Sequence, residues 1–237
     1  METIHTAEAS SLEKGNAAFR VINFALAEVE QKYGTGMGDG ENPKFYHNLE
    51  HTKNVLESAR KMAELALKNG NIKIGEDILL AIVAAGHDIE QDLGSGANER
   101  ESSRVIQEEM KRTRVFSEEE ISKVDATLLA TIFFLDGALV KQSVTDDYMT
   151  KIMADADLCA LGQPTEYYWK TAQDLLHEIK GTETPSLEDQ LAWAHRQVSL
   201  LSGHQYYTEE AKELFPHIEE NLVFAKEQVK RLEKEMN

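Results

Sequence analysis

The sequence is poor in the features that mark secreted or membrane-spanning proteins. It has one cysteine, Cys159, so no intrachain disulfide can form, and we expect a reducing compartment such as the cytoplasm. The longest unbroken apolar run, 78–85, is much shorter than the roughly 20 residues that cross a bilayer. The N-terminal residues have neither a basic start nor an apolar centre, so we expect neither a signal peptide nor a membrane partner.

Positive charge is also scarce. The chain carries 25 Lys and Arg residues against 42 Asp and Glu residues, a formal net charge of -17. Such a surface repels nucleic acids and anionic lipids, so we do not expect a nucleic acid polymer as a partner. A small substrate that bears a phosphate would need local positive charge, which a bound cation can supply.

Proline and the alternating pattern of strands are both rare, which leaves helix as the main prediction. There are four prolines, and apolar residues recur at spacings of three and four. The segment 76–87 is apolar on all sides and predicts a central, buried helix. With 237 residues, 41% of them hydrophobic, we expect an all-α chain with a single domain over 1–237, a bundle of about eight to ten helices.

A small set of His and Asp residues carries the chemistry. His51, the adjacent pair His87 and Asp88, and the run that contains Asp155 and Asp157 all lie in segments predicted as helix. The pair ends an apolar run, where two polar residues are costly to bury unless something binds them. Nitrogen and oxygen donors together suit a divalent cation, which we expect to be Mn, Fe, Co, Ni, Zn or Mg.

Two spacings leave alternatives open. His47 and His51 are four residues apart, which in a helix places both on one face. Both could bind one metal, or one could bind while the other faces the substrate; a pair of surface histidines is the alternative. Asp155 and Asp157 point to nearly opposite faces of a helix. The apolar neighbours of Asp157 favour it as the buried ligand, with Asp155 as the alternative.

The order of these residues resembles the HD superfamily of metal-dependent phosphohydrolases. YHNLEHTKNV (46–55) is similar to the YHNxxHxxxV signature of cyclic-nucleotide phosphodiesterases, which share that ancestry. GHD, NERESS and DADLCALG, in this order, resemble a bacterial HD branch that carries HD, then NExxS, then a DADLxxLG-like run. The similarity covers about 45–161 and implies an HD-type helical bundle with the C-terminal helices, 165–237, packed on that core.

The resemblance implies a role for each matching residue. The metal ligands would be His51, His87, Asp88 and Asp157. A water activated by the cation would attack phosphorus, and Asp88 would orient or deprotonate that water. His47 matches the histidine that protonates the leaving oxygen. The expected function is therefore hydrolysis of a small phosphate ester, such as a nucleotide, by a metal-dependent phosphohydrolase.

The chain also departs from its apparent relatives. Many HD nucleotidases carry a glutamate three residues after the Asp of the pair, where this chain has Gln91. Di-iron HD proteins use two further histidines after the pair, and none occurs between His87 and His177. This favours a single tightly bound metal, with any second ion held through Asp88 and waters, and it argues against an iron oxygenase. The main alternative to an enzyme is an HD regulatory module that binds a metal or nucleotide without turnover.

Five further residues near the motifs are candidates for supporting or substrate-binding roles. Asn98 is placed to begin a helix as its N-cap, and Glu99 suits the first turn of the same helix. Alternatively, Glu99 could orient a ligand histidine. Lys53, Arg100 and Arg104 are candidate phosphate contacts because they lie near the motifs, although basic residues are usually solvated surface groups.

Overall fold

The computed structural model describes residues 2–36, 38–136 and 139–236 of the chain. This part is a helical bundle, which confirms the all-α prediction, and it contains one short hairpin. The helices are α1 (Glu2–Tyr33), α2 (Leu49–Asn69), α3 (Glu76–Gly86), α4 (Ala97–Thr113), α5 (Glu118–Leu128), α6 (Tyr148–Asp157), α7 (Thr165–Lys180), α8 (Leu187–Gly203), α9 (Glu209–Leu214) and α10 (Ile218–Met236). Within these residues, no helix is both long and apolar enough to cross a bilayer.

Helix α3 is the centre of the bundle. Its residues 79–86 are all buried, and α1, α2, α4, α5 and α6 pack around it. Burial on every side follows from its composition, since a helix that is apolar all round has no face suited to water. The prediction of a central buried helix is therefore confirmed, and the residues that follow its last turn emerge inside the protein.

Gly86 closes α3 against α4. A Cβ atom at this position would lie 2.5 Å from Cδ1 of Ile106 on α4, far inside van der Waals contact. Glycine therefore permits the two helices to approach closely where α3 ends. The contact also sets the position of His87 and Asp88, the next residues along the chain.

The hairpin between α5 and α6 was not predicted. It consists of β1 (Phe133–Asp136) and β2 (Leu139–Gln142), which pair antiparallel with Phe133 opposite Gln142. Gly137 and Ala138, which separate the two strands in the sequence, lie outside the described residues. The hairpin matters for the site because β2 ends beside α6, and its last residue contacts a carboxylate there.

The C-terminal helices α7, α8 and α10 enclose a second, smaller core. The residues of this core are buried between the three helices and the short 3₁₀ turn after α6. They are Leu161, Tyr168, Ala172, Leu201 and Ala225. Ile218 of α10 packs against both this cluster and the main core. The two cores are thus continuous, and α7 is held alongside the start of α2.

We expect Gly86→Ala to destabilise the protein by about 1–3 kcal/mol, because the added methyl overpacks the contact with Ile106. Gly15→Ala is the matched control, since a Cβ at this exposed position in α1 meets no heavy atom within 4 Å. It should stabilise the helix by about 0.5–1 kcal/mol. Chemical unfolding of both variants measures the difference, and equal stabilities would contradict the packing argument.

Candidate metal centre

The start of α2 is set by Asn48. Its side-chain oxygen accepts hydrogen bonds from the backbone N–H groups of Glu50 at 2.9 Å and His51 at 3.3 Å, as an N-cap does. Helix α2 therefore begins at Leu49, with His51 in its first turn. The prediction that His47 and His51 share one face of a helix is wrong, because His47 precedes the cap and lies outside α2.

His87 and Asp88 lie at the other end of a helix, immediately after α3. They are 2% and 7% exposed, so both polar groups are buried. His87 Nδ1 lies 2.9 Å from the carbonyl oxygen of Ala84, which only accepts, so this nitrogen carries a proton. The hydrogen bond orients the ring and turns Nε2 towards the interior, where a metal ligand would need it.

Ligand atoms of His51, His87 and Asp157 lie within 4.8 Å of one another between α2, α3 and α6, and Asp88 Oδ2 adjoins the two histidines. Asp88 Oδ2 lies 3.2 Å from His51 Nε2 and 3.1 Å from His87 Nε2. The two Nε2 atoms are 3.4 Å apart. Asp157 Oδ1 completes the group, at 3.8 Å from His51 Nε2 and 3.6 Å from His87 Nε2. The structure therefore brings together, from three helix ends, residues that are far apart in the sequence.

These separations suit a single divalent cation. A cation about 2.1 Å from each ligand atom separates neighbouring ligand atoms by about 3.0–3.4 Å. His51, His87 and Asp157 are spaced closely enough to hold one ion. Among the described residues, Asp88 Oδ2 is one of two buried side-chain atoms without a hydrogen-bond partner. A buried carboxylate oxygen with lone pairs aimed at two imidazoles is the expected state of a metal ligand.

The electrostatics of the protein groups agree with this interpretation. Burial alone would raise the pKa of Asp88, but the adjacent imidazoles of His87 and His51 hold it well below its ordinary value. Burial alone would lower the pKa of His87, but Asp88 and Asp157 hold it well above its ordinary value. A cation would replace the proton of His87 as the partner of both carboxylates, so binding should release protons.

The two aspartates of α6 have different environments. Asp157 turns Oδ1 towards the histidines, while its Oδ2 accepts a hydrogen bond from Gln142 Nε2 at 3.1 Å. Asp155 instead accepts from the backbone N–H of Tyr207 at 2.9 Å and from the hydroxyl of Thr208 at 2.7 Å. Burial raises the pKa of Asp155 to about 6. The geometry thus favours Asp157 as the ligand, although the prediction that Asp157 is the buried one of the two is wrong: Asp155 is 1% exposed and joins α6 to the loop before α9.

His47 lies beside the centre, with its ring centroid 5.8 Å from that of His51. Its Nδ1 donates to Glu178 Oε1 at 2.5 Å, and Glu178 Oε2 accepts the backbone N–H groups of Tyr46 and His47. Burial lowers the pKa of His47, but the hydrogen bond to Glu178 and the charges of Asp88, Glu178 and Asp157 outweigh it and leave the pKa raised. Glu178 was not predicted, because no local pattern in α7 marks a contact with a residue 131 positions earlier.

Glu99 lies in the first turn of α4, as predicted, but Asn98 does not occupy its predicted position. The N-cap of α4 is Gly96, so the prediction of Asn98 as N-cap is wrong. Asn98 lies inside the helix, where its side chain accepts from the backbone N–H of Leu93 at 2.8 Å. Glu99 accepts from the backbone N–H of Gly96 at 2.6 Å and so stabilises the helix start. This contact accounts for Glu99 without a bond to a ligand histidine.

The three predicted phosphate contacts, Lys53, Arg100 and Arg104, are all exposed. Lys53 follows His51 by two residues in α2, so its side chain points about 200° away from that of His51 around the helix axis. Arg104 pairs with Glu101 and Glu108 on its own helix. Arg100 donates to a carbonyl at the start of α4. The structure therefore gives these basic residues surface and helix-end roles.

A half-open cleft lies against the centre on the side of α2 and α7. Its walls include His51, Asp157, Asn54, Tyr167 and Lys170. Among the described side chains that line it, Lys170 is the one Lys or Arg. No sequence motif marks this cleft, because Tyr167 and Lys170 lie on α7, outside the segments that carry the motifs.

Comparison with known proteins provides no relative for this chain: no family model matches it, and no curated protein matches it. The interpretation of the centre therefore rests on its own atoms. Converging nitrogen and oxygen ligands, an unpartnered buried carboxylate oxygen and an adjacent histidine–glutamate pair are the observations that any function must explain.

We expect Asp157→Asn to lower the affinity for a divalent metal at least about tenfold, because it removes a ligand charge. Asp155→Asn is the matched control on the same helix. It should leave metal content unchanged but destabilise the protein by about 1–3 kcal/mol, since an amide NH₂ would face the donors of Tyr207 and Thr208. Elemental analysis and thermal unfolding separate the two effects. Metal loss in the Asp155 variant alone would reverse the assignment.

Proposed function

We propose that this protein is a metal-dependent phosphohydrolase of the HD superfamily, acting on a small phosphate ester. The observation that carries the proposal is the convergence of four ligand atoms, from His51, His87, Asp88 and Asp157, beside a histidine held by a glutamate. The ordered HD-like motifs of the sequence support the same function. The native cation is one of Mn, Fe, Co, Ni, Zn or Mg.

A divalent cation at this centre would neutralise the phosphate and lower the pKa of an attacking water. The chain supplies two neutral imidazoles and two carboxylates to hold it. Asp88 acts as a ligand in this proposal rather than as a proton acceptor. Its Oδ1 already accepts from Gln91 at 2.6 Å, and its Oδ2 faces the two Nε2 atoms.

His47 is the proposed general acid. Glu178 occupies Nδ1, so Nε2 is the nitrogen available to a substrate, and the side chain is 27% exposed. The raised pKa of His47 favours the protonated form that an acid needs. The proton on Nε2 would pass to the leaving oxygen as the P–O bond breaks, which makes the departing group a neutral alcohol.

The charge of the cleft favours a substrate with little negative charge beyond the reacting phosphate. Lys170 lines the cleft together with the acidic residues Glu50 and Asp174, and it pairs with Asp174 at 2.8 Å. A polyphosphate tail would therefore meet carboxylates without a matching set of cations. A substrate with a single phosphate group would meet fewer unmatched carboxylates than a polyphosphate.

The direct test is hydrolysis of a panel of phosphomonoesters and phosphodiesters by the purified protein, supplied in turn with Mn, Co, Mg, Zn, Ni and Fe. We expect turnover with at least one metal, and we expect His87→Ala to lose both metal and activity, because it removes a buried ligand. No hydrolysis by the wild type, together with unchanged metal content in His87→Ala, would sink the proposal.

The same preparation distinguishes the rival functions. A ligand that raises the melting temperature without product would favour a regulatory module that binds but does not turn over. Metal-dependent oxygen consumption would favour an oxygenase on the same scaffold. If the purified protein binds no metal, a purely structural role would be favoured.

The histidine–glutamate pair generates a pH prediction. Glu178 raises the pKa of His47, so Glu178→Gln should lower that pKa and move the alkaline limb of kcat/KM to lower pH. Metal content should stay unchanged. His47→Ala should reduce kcat by about 10²–10⁴-fold, the usual contribution of a general acid.

Glu166→Gln is the matched control, because Glu166 is an exposed acid on the same helix α7. It removes the same charge without touching His47 and should leave the pH profile in place. An unchanged alkaline limb in Glu178→Gln would show that His47 is not the group that titrates.

A further inference from the structure

We propose that the centre holds a single cation because two glutamine amides, from Gln91 and Gln142, occupy the outer oxygens of its two carboxylates. This inference rests on the metal centre proposed above and goes beyond it, since it assigns the number of ions and the residues that determine that number. Neither glutamine is itself a ligand in this arrangement; each is a positioning residue.

A carboxylate has two oxygens and can bridge two cations, one on each. In this centre the two oxygens of each aspartate have separate partners. Asp88 Oδ2 and Asp157 Oδ1 face the histidine nitrogens. Asp88 Oδ1 accepts from Gln91 Nε2 at 2.6 Å, and Asp157 Oδ2 accepts from Gln142 Nε2 at 3.1 Å. Each carboxylate therefore presents one oxygen to the interior.

The orientation of the Gln91 amide follows from a chain of hydrogen bonds. The backbone N–H of Leu93 can only donate, so the Asn98 atom 2.8 Å from it must be the amide oxygen. Asn98 Nδ2 then points to Gln91 Oε1, at 3.5 Å. This leaves Gln91 with its NH₂ group towards Asp88. A donor, and not an acceptor, thus covers the outer oxygen.

Buried elements hold both amides in place. The backbone N–H of Gln91 donates to the hydroxyl of Tyr33 at 2.7 Å, and Tyr33 is 1% exposed at the end of α1. Gln142 is 5% exposed and lies in β2, in register with β1. A side chain fixed by buried neighbours loses little entropy in making its hydrogen bond, so each amide is a stable part of the site.

Among the described residues, a second cation would have to compete with a bound amide for either outer oxygen, and on the Asp88 side it would find the adjacent acids already paired. At either outer oxygen it would meet the positive end of an N–H dipole. The nearby acids are already engaged. Glu90 accepts the backbone N–H of Asp92 at 2.8 Å and pairs with Lys32 at 3.5 Å, and Asp92 pairs with Lys44 at 2.8 Å.

Metal stoichiometry tests the inference without reference to activity. Protein depleted of metal is dialysed against Mn²⁺, the bound ion is counted by elemental analysis, and spin coupling between Mn²⁺ ions is sought by electron paramagnetic resonance. We expect one ion per chain and no coupling in the wild type. We expect Gln91→Glu to bind a second ion with a coupled signal, because a carboxylate replaces the amide beside Asp88 Oδ1.

Gln228→Glu is the matched control. Gln228 lies on α10, where its Oε1 accepts from Arg231 at 3.0 Å, so glutamate keeps that contact and adds the same charge. Its stoichiometry should stay at one ion. Gln142→Glu provides a second variant of the centre, so the inference stays testable if Gln91→Glu does not fold. Circular dichroism and thermal unfolding check folding in each case.

The outcomes separate this inference from the proposed function. Two ions of similar affinity in the wild type would overturn the single-cation inference and leave the phosphohydrolase proposal standing. One ion in folded Gln91→Glu and Gln142→Glu alike would overturn the role of the glutamines. Absence of any bound ion in the wild type would instead remove the metal centre on which both proposals depend.

Discussion

The burial of an imidazole–carboxylate cluster at the end of α3 is the constraint on which the rest of the structure depends. His87 and Asp88 follow a helix that is apolar on every side, so they emerge in the core, where an unpaired charge is unstable. The ends of two neighbouring helices supply partners for these buried groups. The first turn of α2 supplies His51, and the last turn of α6 supplies Asp157. The cluster is satisfied only if all of these ends meet, which ties local chain geometry to a single chemical centre.

Residues from more distant parts of the chain contact the residues of the centre and fix the orientation of their side chains. Tyr33 at the end of α1 holds Gln91, β2 provides Gln142, and Glu178 of α7 orients His47. Each contact either covers a carboxylate oxygen or directs a ring nitrogen. The proposed division of labour, with one set of residues for the cation and another for the proton, depends on this layer. Because the chain is strongly acidic, a bound cation would supply the positive charge that a phosphate substrate needs.

Particular residues show how far sequence reasoning reaches. Periodicity predicted the buried helix α3, at whose end Gly86 permits a close approach by α4. The same reasoning extended α2 back over His47, because spacing alone does not reveal that Asn48 turns its side chain into a cap. It also missed the hairpin, although aromatic residues before Asp136-Gly137 are a hairpin signal that the helical context concealed.

The sequence by itself determined the helical class of the chain, its buried central helix and the few residues able to bind a divalent cation. These properties depend on composition and short spacings, which are local. Only the tertiary structure decided that Asp157 and not Asp155 faces the histidines, that Glu178 holds His47, and that glutamine amides cover the outer carboxylate oxygens. Such contacts join residues many positions apart, and their existence depends on the packing angles of whole helices, which no local pattern encodes.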